Sequence, residues 1–237
     1  MLWYTLAYKG WLETRFRLLF SLAFGASYCI AVHSIKVPSG PAFGKPILGA
    51  AIMMTIAASV FSIMLSGAGI ATQPSFQATK GLHGSTLFTL SLPVSRFRLL
   101  AVRASLGWLE LAGAIAATCC AMWFLFPPLR ATATPEEMIK YAVVLIICGS
   151  GLYAIPVLLA TFLDDQWRMQ GSGIAFGALW WLSNHTPLPT SANIFRAMGE
   201  GSPLIAHAMP WTAMAFSLEL AAILFFAALK VVQTREY

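Results

Sequence analysis

The chain has 237 residues, of which 58% are hydrophobic and 10% charged, with a mean hydropathy of +0.73. Soluble domains carry about a quarter charged residues, so a water-soluble enzyme or nucleic-acid-binding fold is excluded. The net charge of +6 is read as basic loops beside an anionic lipid leaflet, with no nucleic acid as partner.

Apolar runs of about 20 residues match the roughly 30 Å hydrocarbon layer of a bilayer, and about six occur here. The expected fold is an all-α integral membrane protein forming one domain over 1–237. Six transmembrane helices are preceded by an N-terminal amphipathic elbow helix over 1–17. In that segment Thr5, Lys9, Glu13 and Arg17 recur every four residues. They share a helical face on which Lys9–Glu13 and Glu13–Arg17 pair, with Trp3, Ala7 and Trp11 opposite at headgroup depth. The other reading makes 1–17 a plain extension of the first span. That span begins after a polar stretch with no small-residue cleavage site, so no cleavable signal peptide is expected.

The first span covers 18–35 and ends at Val37-Pro38-Ser39-Gly40-Pro41, where the helix ladder breaks. The second covers 47–71. The third covers 99–126, with Ser95 as its N-cap and Pro127-Pro128 as its stop. The fourth covers 138–163, with a kink expected at Pro156. A polar turn, Asp164 to Arg168, leads to the fifth span over 169–183. This core is shorter than a bilayer needs and either borrows Asn184 and His185 or stops short. Its Gly173 and Gly177 form a small-xxx-small pair for close helix packing. The sixth span covers 210–232, starting at Pro210.

With the N-terminus inside, Lys9, Arg15, Arg17, Lys80, Arg96, Arg98, Arg103, Arg168, Lys230 and Arg235 fall on the inner side. Only Lys36, Lys45, Arg130, Lys140 and Arg196 fall outside. This asymmetry places both termini and the 73–98 loop in the cytoplasm. Cys29, Cys119, Cys120 and Cys148 lie in apolar runs with no ligand spacing, so neither a metal site nor a disulfide is expected. Met53, Met54 and Met64 are read as helix packing in preference to copper ligands, and His33 and His207 as solvated groups near the outer ends.

The 73–98 loop contains Gly84-Ser85-Thr86-Leu87-Phe88-Thr89-Leu90-Ser91-Leu92-Pro93-Val94-Ser95-Arg96. This segment resembles the signature G-T-L-x-x-L-L-S-L-P-V-S-R of type-2 ABC transporter permeases, in register from Gly84 through Pro93 to Arg96. The elbow, six spans and internal termini are similar to that family's layout. The resemblance covers the whole chain in layout and about a dozen residues in motif. It implies that the loop forms a coupling helix seated in a groove of a cytoplasmic ATP-binding subunit. Two copies of that subunit would close on ATP and reorient the spans. The coupling residues so implied are Phe76, Thr79, Lys80, Leu82, Gly84, Leu87, Leu90, Pro93 and Arg96. The family usually has charged residues before the glycine and often a glutamate after it. Here Thr79-Lys80-Gly81-Leu82-His83 and Leu87 stand there, so an apolar contact through Phe76, Leu82 or Leu87 replaces the charged one. The resemblance also implies pairing with a second permease copy or a similar permease, and short re-entrant helices forming an external gate over 184–209.

No G-x-x-x-x-G-K-[ST] string occurs, so the chain itself is expected to bind no cofactor and to be no enzyme; ATP and Mg would sit on the partner subunit. Glu110 and Glu219 fall inside spans, where a carboxylate costs roughly 2.5–3.5 kcal/mol on insertion scales. They are candidates for a substrate path, or else protonated acids hydrogen-bonded between helices. Arg103 is expected to snorkel to the cytoplasmic surface.

The function expected is the permease subunit of an ATP-driven exporter in a bacterial cytoplasmic (inner) membrane, contacting lipid and moving a lipophilic or amphipathic substrate. The alternatives are a non-transporting scaffold or sensor subunit, or an ATP-independent transporter. A membrane enzyme is disfavoured, because no nucleophile–base pair, H-E-x-x-H or acidic metal cluster is legible.

Overall fold

A computed structural model of the chain describes residues 2–34, 44–66, 95–163, 165–186 and 189–234. Among them every regular element is a helix. In chain order these are α1 (Leu2–Ser34), α2 (Gly44–Ser66), α3 (Arg96–Leu125), α4 (Pro127–Thr132), α5 (Pro135–Leu159), α6 (Asp165–His185), α7 (Ile194–Met198), α8 (Pro203–Ala206) and α9 (Trp211–Thr234), with a 3-10 turn at Thr190–Ala192.

Three of them, α3, α5 and α9, are long and apolar enough to cross a membrane. Large apolar side chains also cover the outside: Phe124 is 70% exposed and Ile223 and Phe226 are each 65% exposed. Such a surface suits hydrocarbon surroundings, not water.

Helix α5 is the hub, packing against α2, α3, α6, α7, α8 and α9. Val144, Leu145, Cys148 and Leu152 on it are wholly buried. Its start is fixed by a capping box. The Thr134 hydroxyl accepts from the Glu137 N–H, the Glu137 carboxylate accepts from the Thr134 N–H, and Pro135 occupies the first turn. Pro156 lies inside α5, three residues before the helix ends at Leu159. Ser95 caps α3 as expected, its hydroxyl accepting from the Arg98 N–H at 3.3 Å. The expected span of 99–126 is thus realised as Arg96–Leu125, and that of 210–232 as Trp211–Thr234.

Helix α1 departs from expectation. No break separates 1–17 from 18–35; one helix runs from Leu2 to Ser34. The cause is a stripe at four-residue spacing, Leu6, Gly10 and Thr14, continued by Ser21, Gly25 and Cys29, all buried. This stripe lies along α3. Leu6 packs with Leu99 and Val102, a Cβ on Gly10 would sit 3.0 Å from Leu106, and one on Gly25 would sit 2.7 Å from the Thr118 hydroxyl. Contacts advance in the same direction on both helices, so α1 and α3 run parallel. The N-terminal half is therefore a bundle element and no separate elbow. The side chains of Lys9, Glu13 and Arg17 lie outside the described residues.

Helix α6 is longer than expected at both ends. It starts at Asp165 and continues to His185, so the polar turn shrinks and Arg168 becomes helical. Asn184 and His185 do extend it, each bonding to a carbonyl one turn back, Trp180 and Trp181 respectively. The glycine pair behaves asymmetrically. Gly173 faces Met64 of α2, whereas no described atom lies near a Cβ on Gly177. Among the described glycines the least room is at Gly151 of α5, where a Cβ would lie 2.6 Å from the Ser217 hydroxyl and 2.8 Å from its backbone oxygen on α9.

Candidate functional site

Two features of the bundle carry polar chemistry into apolar surroundings. The first is a groove between α1 and α3. Both helices are continuous, so their side chains form straight rows: Trp11, Leu18 and Leu22 on one side, Leu106, Leu109 and Glu110 on the other, with Gly113 and Ala117 as a shallow floor. The groove holds about 320 Å³. Among the described lining residues Glu110 is the one acid, and it is buried while Leu109, Gly113 and Ala117 are exposed.

The Thr14 hydroxyl lies against the Glu110 carboxyl and also 3.0 Å from the Gly10 carbonyl oxygen. A hydroxyl has one proton to give and two lone pairs. It therefore donates either to the Glu110 carboxyl or to the Gly10 carbonyl.

The surroundings are polar but satisfied. Tyr153 donates to the Ala104 carbonyl at 2.9 Å, and Trp108 donates to Ser150 at 2.8 Å. Arg103, expected to reach the surface, is only 8% exposed; Val102 and Ala104, its chain neighbours, are buried too, so its turn of α3 is covered on most sides. Arg168, expected in a turn, is 1% exposed and donates to the Met64 carbonyl near the end of α2 at 3.1 Å.

The second feature is the junction of α3 and α9. Arg96 donates to the carbonyls of Val232 at 2.8 Å and Gln233 at 3.1 Å. Both belong to the last turn of α9, whose carbonyls have no partner within the helix. Of the expected coupling residues, Arg96 alone is described. Phe76, Thr79, Lys80, Leu82, Gly84, Leu87, Leu90 and Pro93 lie outside the described residues.

The two candidate path acids are not brought together. Glu110 faces α1, whereas Glu219 is exposed on the outer side of α9 with Leu218 and Ile223. At the other end of the bundle, the segment expected as an external region forms short helices. Asn193 caps α7 by accepting from the Arg196 N–H and also donates to the Ser183 carbonyl, each at 3.0 Å. Met198 and Leu204 are buried against the core. A second cavity of about 400 Å³ opens there, lined by Asn193, Arg196, Met209, Trp211 and Thr212 among others.

Sequence reasoning missed Thr14, Gly151 and Ser217. The signal for Thr14 was present: Gly10 and Thr14 open a small-residue repeat continued at Ser21, Gly25 and Cys29. The more conspicuous charged face lies one residue earlier at each step, about 100° round the helix.

No family model, no curated protein and no solved structure matches the chain. Its function rests on its own residues.

Proposed function

We propose that the chain is the membrane-spanning permease subunit of an ATP-driven exporter of the type-2 ABC class. In this reading α1, α2, α3, α5, α6 and α9 are six crossings, since each exceeds the roughly 20 residues a bilayer requires. Two cytoplasmic ATP-binding subunits supply the energy, and a second permease copy or a similar permease completes the pathway in the cytoplasmic membrane. The cargo is lipophilic or amphipathic.

The observation that carries this reading is the anchoring of the signature's last residue. The segment Gly84–Arg96 resembles the family's coupling stretch, and its Arg96 begins α3 while gripping the end of α9. A push on the loop would be delivered at once to two long helices. The buried end helices α7 and α8 suit a gate on the far side.

The test has two parts. Coexpression with candidate ATP-binding subunits should yield a copurifying complex, and proteoliposomes of that complex should move substrate in a vanadate-sensitive way. Single cysteines between Phe76 and Leu92, placed in a cysteine-free background, should resist membrane-impermeant thiol reagents on intact cells. Labelling from outside sinks the proposal, whatever copurifies.

A further inference from the structure

We propose that the cavity at the start of α9 binds the headgroup phosphate of an anionic phospholipid, held by Arg196 and the hydroxyls around it. The cavity holds about 400 Å³, and its walls come from the 3-10 turn, α7 and the first turn of α9. Arg196 is the one charged residue among the described lining residues. Thr190, Ser191 and Thr212 bring three hydroxyls, none of which bonds to another described residue. No carboxylate among the described residues pairs with Arg196. Glu137 is held by His207 and Glu136 by Lys140, and Glu200, four positions on from Arg196, is exposed and outside the lining. A guanidinium presents a planar fork of donors that matches phosphate oxygens. The net charge of the headgroup follows from the same lining. With no acid in the wall, the ammonium of a zwitterionic headgroup would find no partner there and would face Arg196 instead.

The position of the cavity favours a lipid over a free anion. Helix α9 is long and apolar enough to cross a membrane, and the cavity opens at its first turn, where a crossing helix meets the headgroups. Trp211 in the wall is 69% exposed. Asn193, also in the wall, donates to the Ser183 carbonyl on α6 at 3.0 Å. Trp180 and Trp181, within one turn of Ser183, are exposed as well. Tryptophans exposed at one end of membrane helices stand at headgroup depth, the layer that holds the lipid phosphates. The positive end of the α9 dipole adds to the charge of Arg196 there. This inference needs only that α9 crosses a bilayer, and it stands without the permease reading.

The experiment uses the full chain in dodecyl maltoside micelles and reads saturable binding of tritiated dioctanoyl phosphatidylglycerol. Unlabelled phosphatidylglycerol should displace the label about tenfold or more better than dioctanoyl phosphatidylcholine does. Arg196→Gln should weaken binding about tenfold or more, and Arg196→Lys should weaken it less, since an ammonium keeps the charge but not the fork. Arg196→Gln is expected to fold, because the residue is exposed and its side chain bonds to no described residue. Arg130→Gln removes an exposed charge on α4, outside the lining, and should leave binding unchanged. Equal displacement by phosphatidylcholine, unchanged binding in Arg196→Gln or an equal loss in Arg130→Gln overturns the proposal. Inorganic phosphate that displaces the label as well as the lipid does assigns the site to a free anion and overturns it too. Lipid binding that meets these tests on a chain that copurifies with no ATP-binding subunit keeps the site and removes the permease reading instead.

Discussion

The guanidinium of Arg96, in the first turn of α3, donates to the backbone oxygen of Val232 in the last turn of α9 at 2.8 Å. A cation at a helix C-terminus satisfies carbonyls that have no partner within the helix and opposes the negative end of the helix dipole. The start of one long helix is thereby tied to the end of another, 136 residues apart in sequence.

Arg96→Ala should cost about 1 kcal/mol, the worth of a partly solvated contact of this kind. Arg96→Lys should recover part of it, since an ammonium keeps the charge but not the planar fork. The cost should appear as a lower thermal midpoint in detergent. Hydrogen exchange should accelerate over 231–234 while the middle of α9 stays protected. Unchanged exchange in that turn would remove the anchoring role given to Arg96.

A second prediction concerns the α5–α9 contact, the most extensive in the bundle. The Ser217 hydroxyl sits at its centre. It accepts from the Gly151 N–H at 3.0 Å and lies 2.8 Å from the Cys148 carbonyl and 3.0 Å from that of Ile147. Gly151→Ala would drive a Cβ to 2.8 Å from a backbone oxygen, which a rotamer change cannot relieve. The expected loss is about 1–3 kcal/mol, typical of overpacking. Ser217→Ala should cost less, about 0.6–1.7 kcal/mol, the range for hydrogen bonds between membrane helices. Unfolding in mixed micelles ranks the two; a Gly151→Ala midpoint at or above that of Ser217→Ala would contradict the close packing.

The elements most legible in the sequence were those with chemical punctuation at their ends. Ser95 and Pro210 mark the starts of α3 and α9, and the structure places those starts within three residues of expectation; the Thr134–Glu137 box that starts α5 went unread. The boundary inside α1 failed for a physical reason. Periodic charge on one face says where water or headgroups touch a helix, but not where the helix stops, and a small-residue stripe beside that face packs along α3. Small residues permit close approach, yet which of them is used depends on a neighbour's position; among the described residues the tightest approaches are at Gly10, Gly25 and Gly151. Glu110 was legible as an anomaly of depth. Its partner Thr14, 96 residues away, was not, because pairing between helices has no local signature.

A third prediction follows from the Thr14–Glu110 contact. Thr14→Val keeps the shape and removes the hydroxyl, whereas Thr14→Ser keeps the hydroxyl. The valine variant should lose about 1 kcal/mol and the serine variant a fraction of that. Combining Thr14→Val with Glu110→Gln should cost less than the sum of the two, with a coupling of about 0.5–2 kcal/mol. Strict additivity in thermal or denaturant unfolding would show that the two side chains do not share a hydrogen bond.

The last prediction concerns pH. Glu137 stands in the capping turn of α5, ahead of the apolar stretch that begins at Met138. Its carboxylate accepts the Thr134 N–H at 2.8 Å and meets Nδ1 of His207 at 2.6 Å. These contacts hold its carboxyl below the ordinary value of 4.5, the Thr134 backbone bond contributing most and His207 next. A carboxyl lowered on folding binds its proton more readily in the unfolded chain, so its contribution to stability is fully present above about 4.5 and is lost as pH falls through the lowered folded value. Acid should therefore loosen this end of the bundle through Glu137, releasing both the α5 cap and the residue that follows α8. His207 adopts a left-handed backbone, φ 50°, a conformation uncommon outside glycine and asparagine, and its side-chain contact with Glu137 is one of the restraints there. Glu137→Gln should flatten the acid limb of the stability profile between pH 5 and the acid transition, roughly the window in which a lowered carboxylate titrates. It should also raise protease sensitivity around His207 at neutral pH. A variant whose acid limb matches the wild type would show that other carboxylates carry that transition.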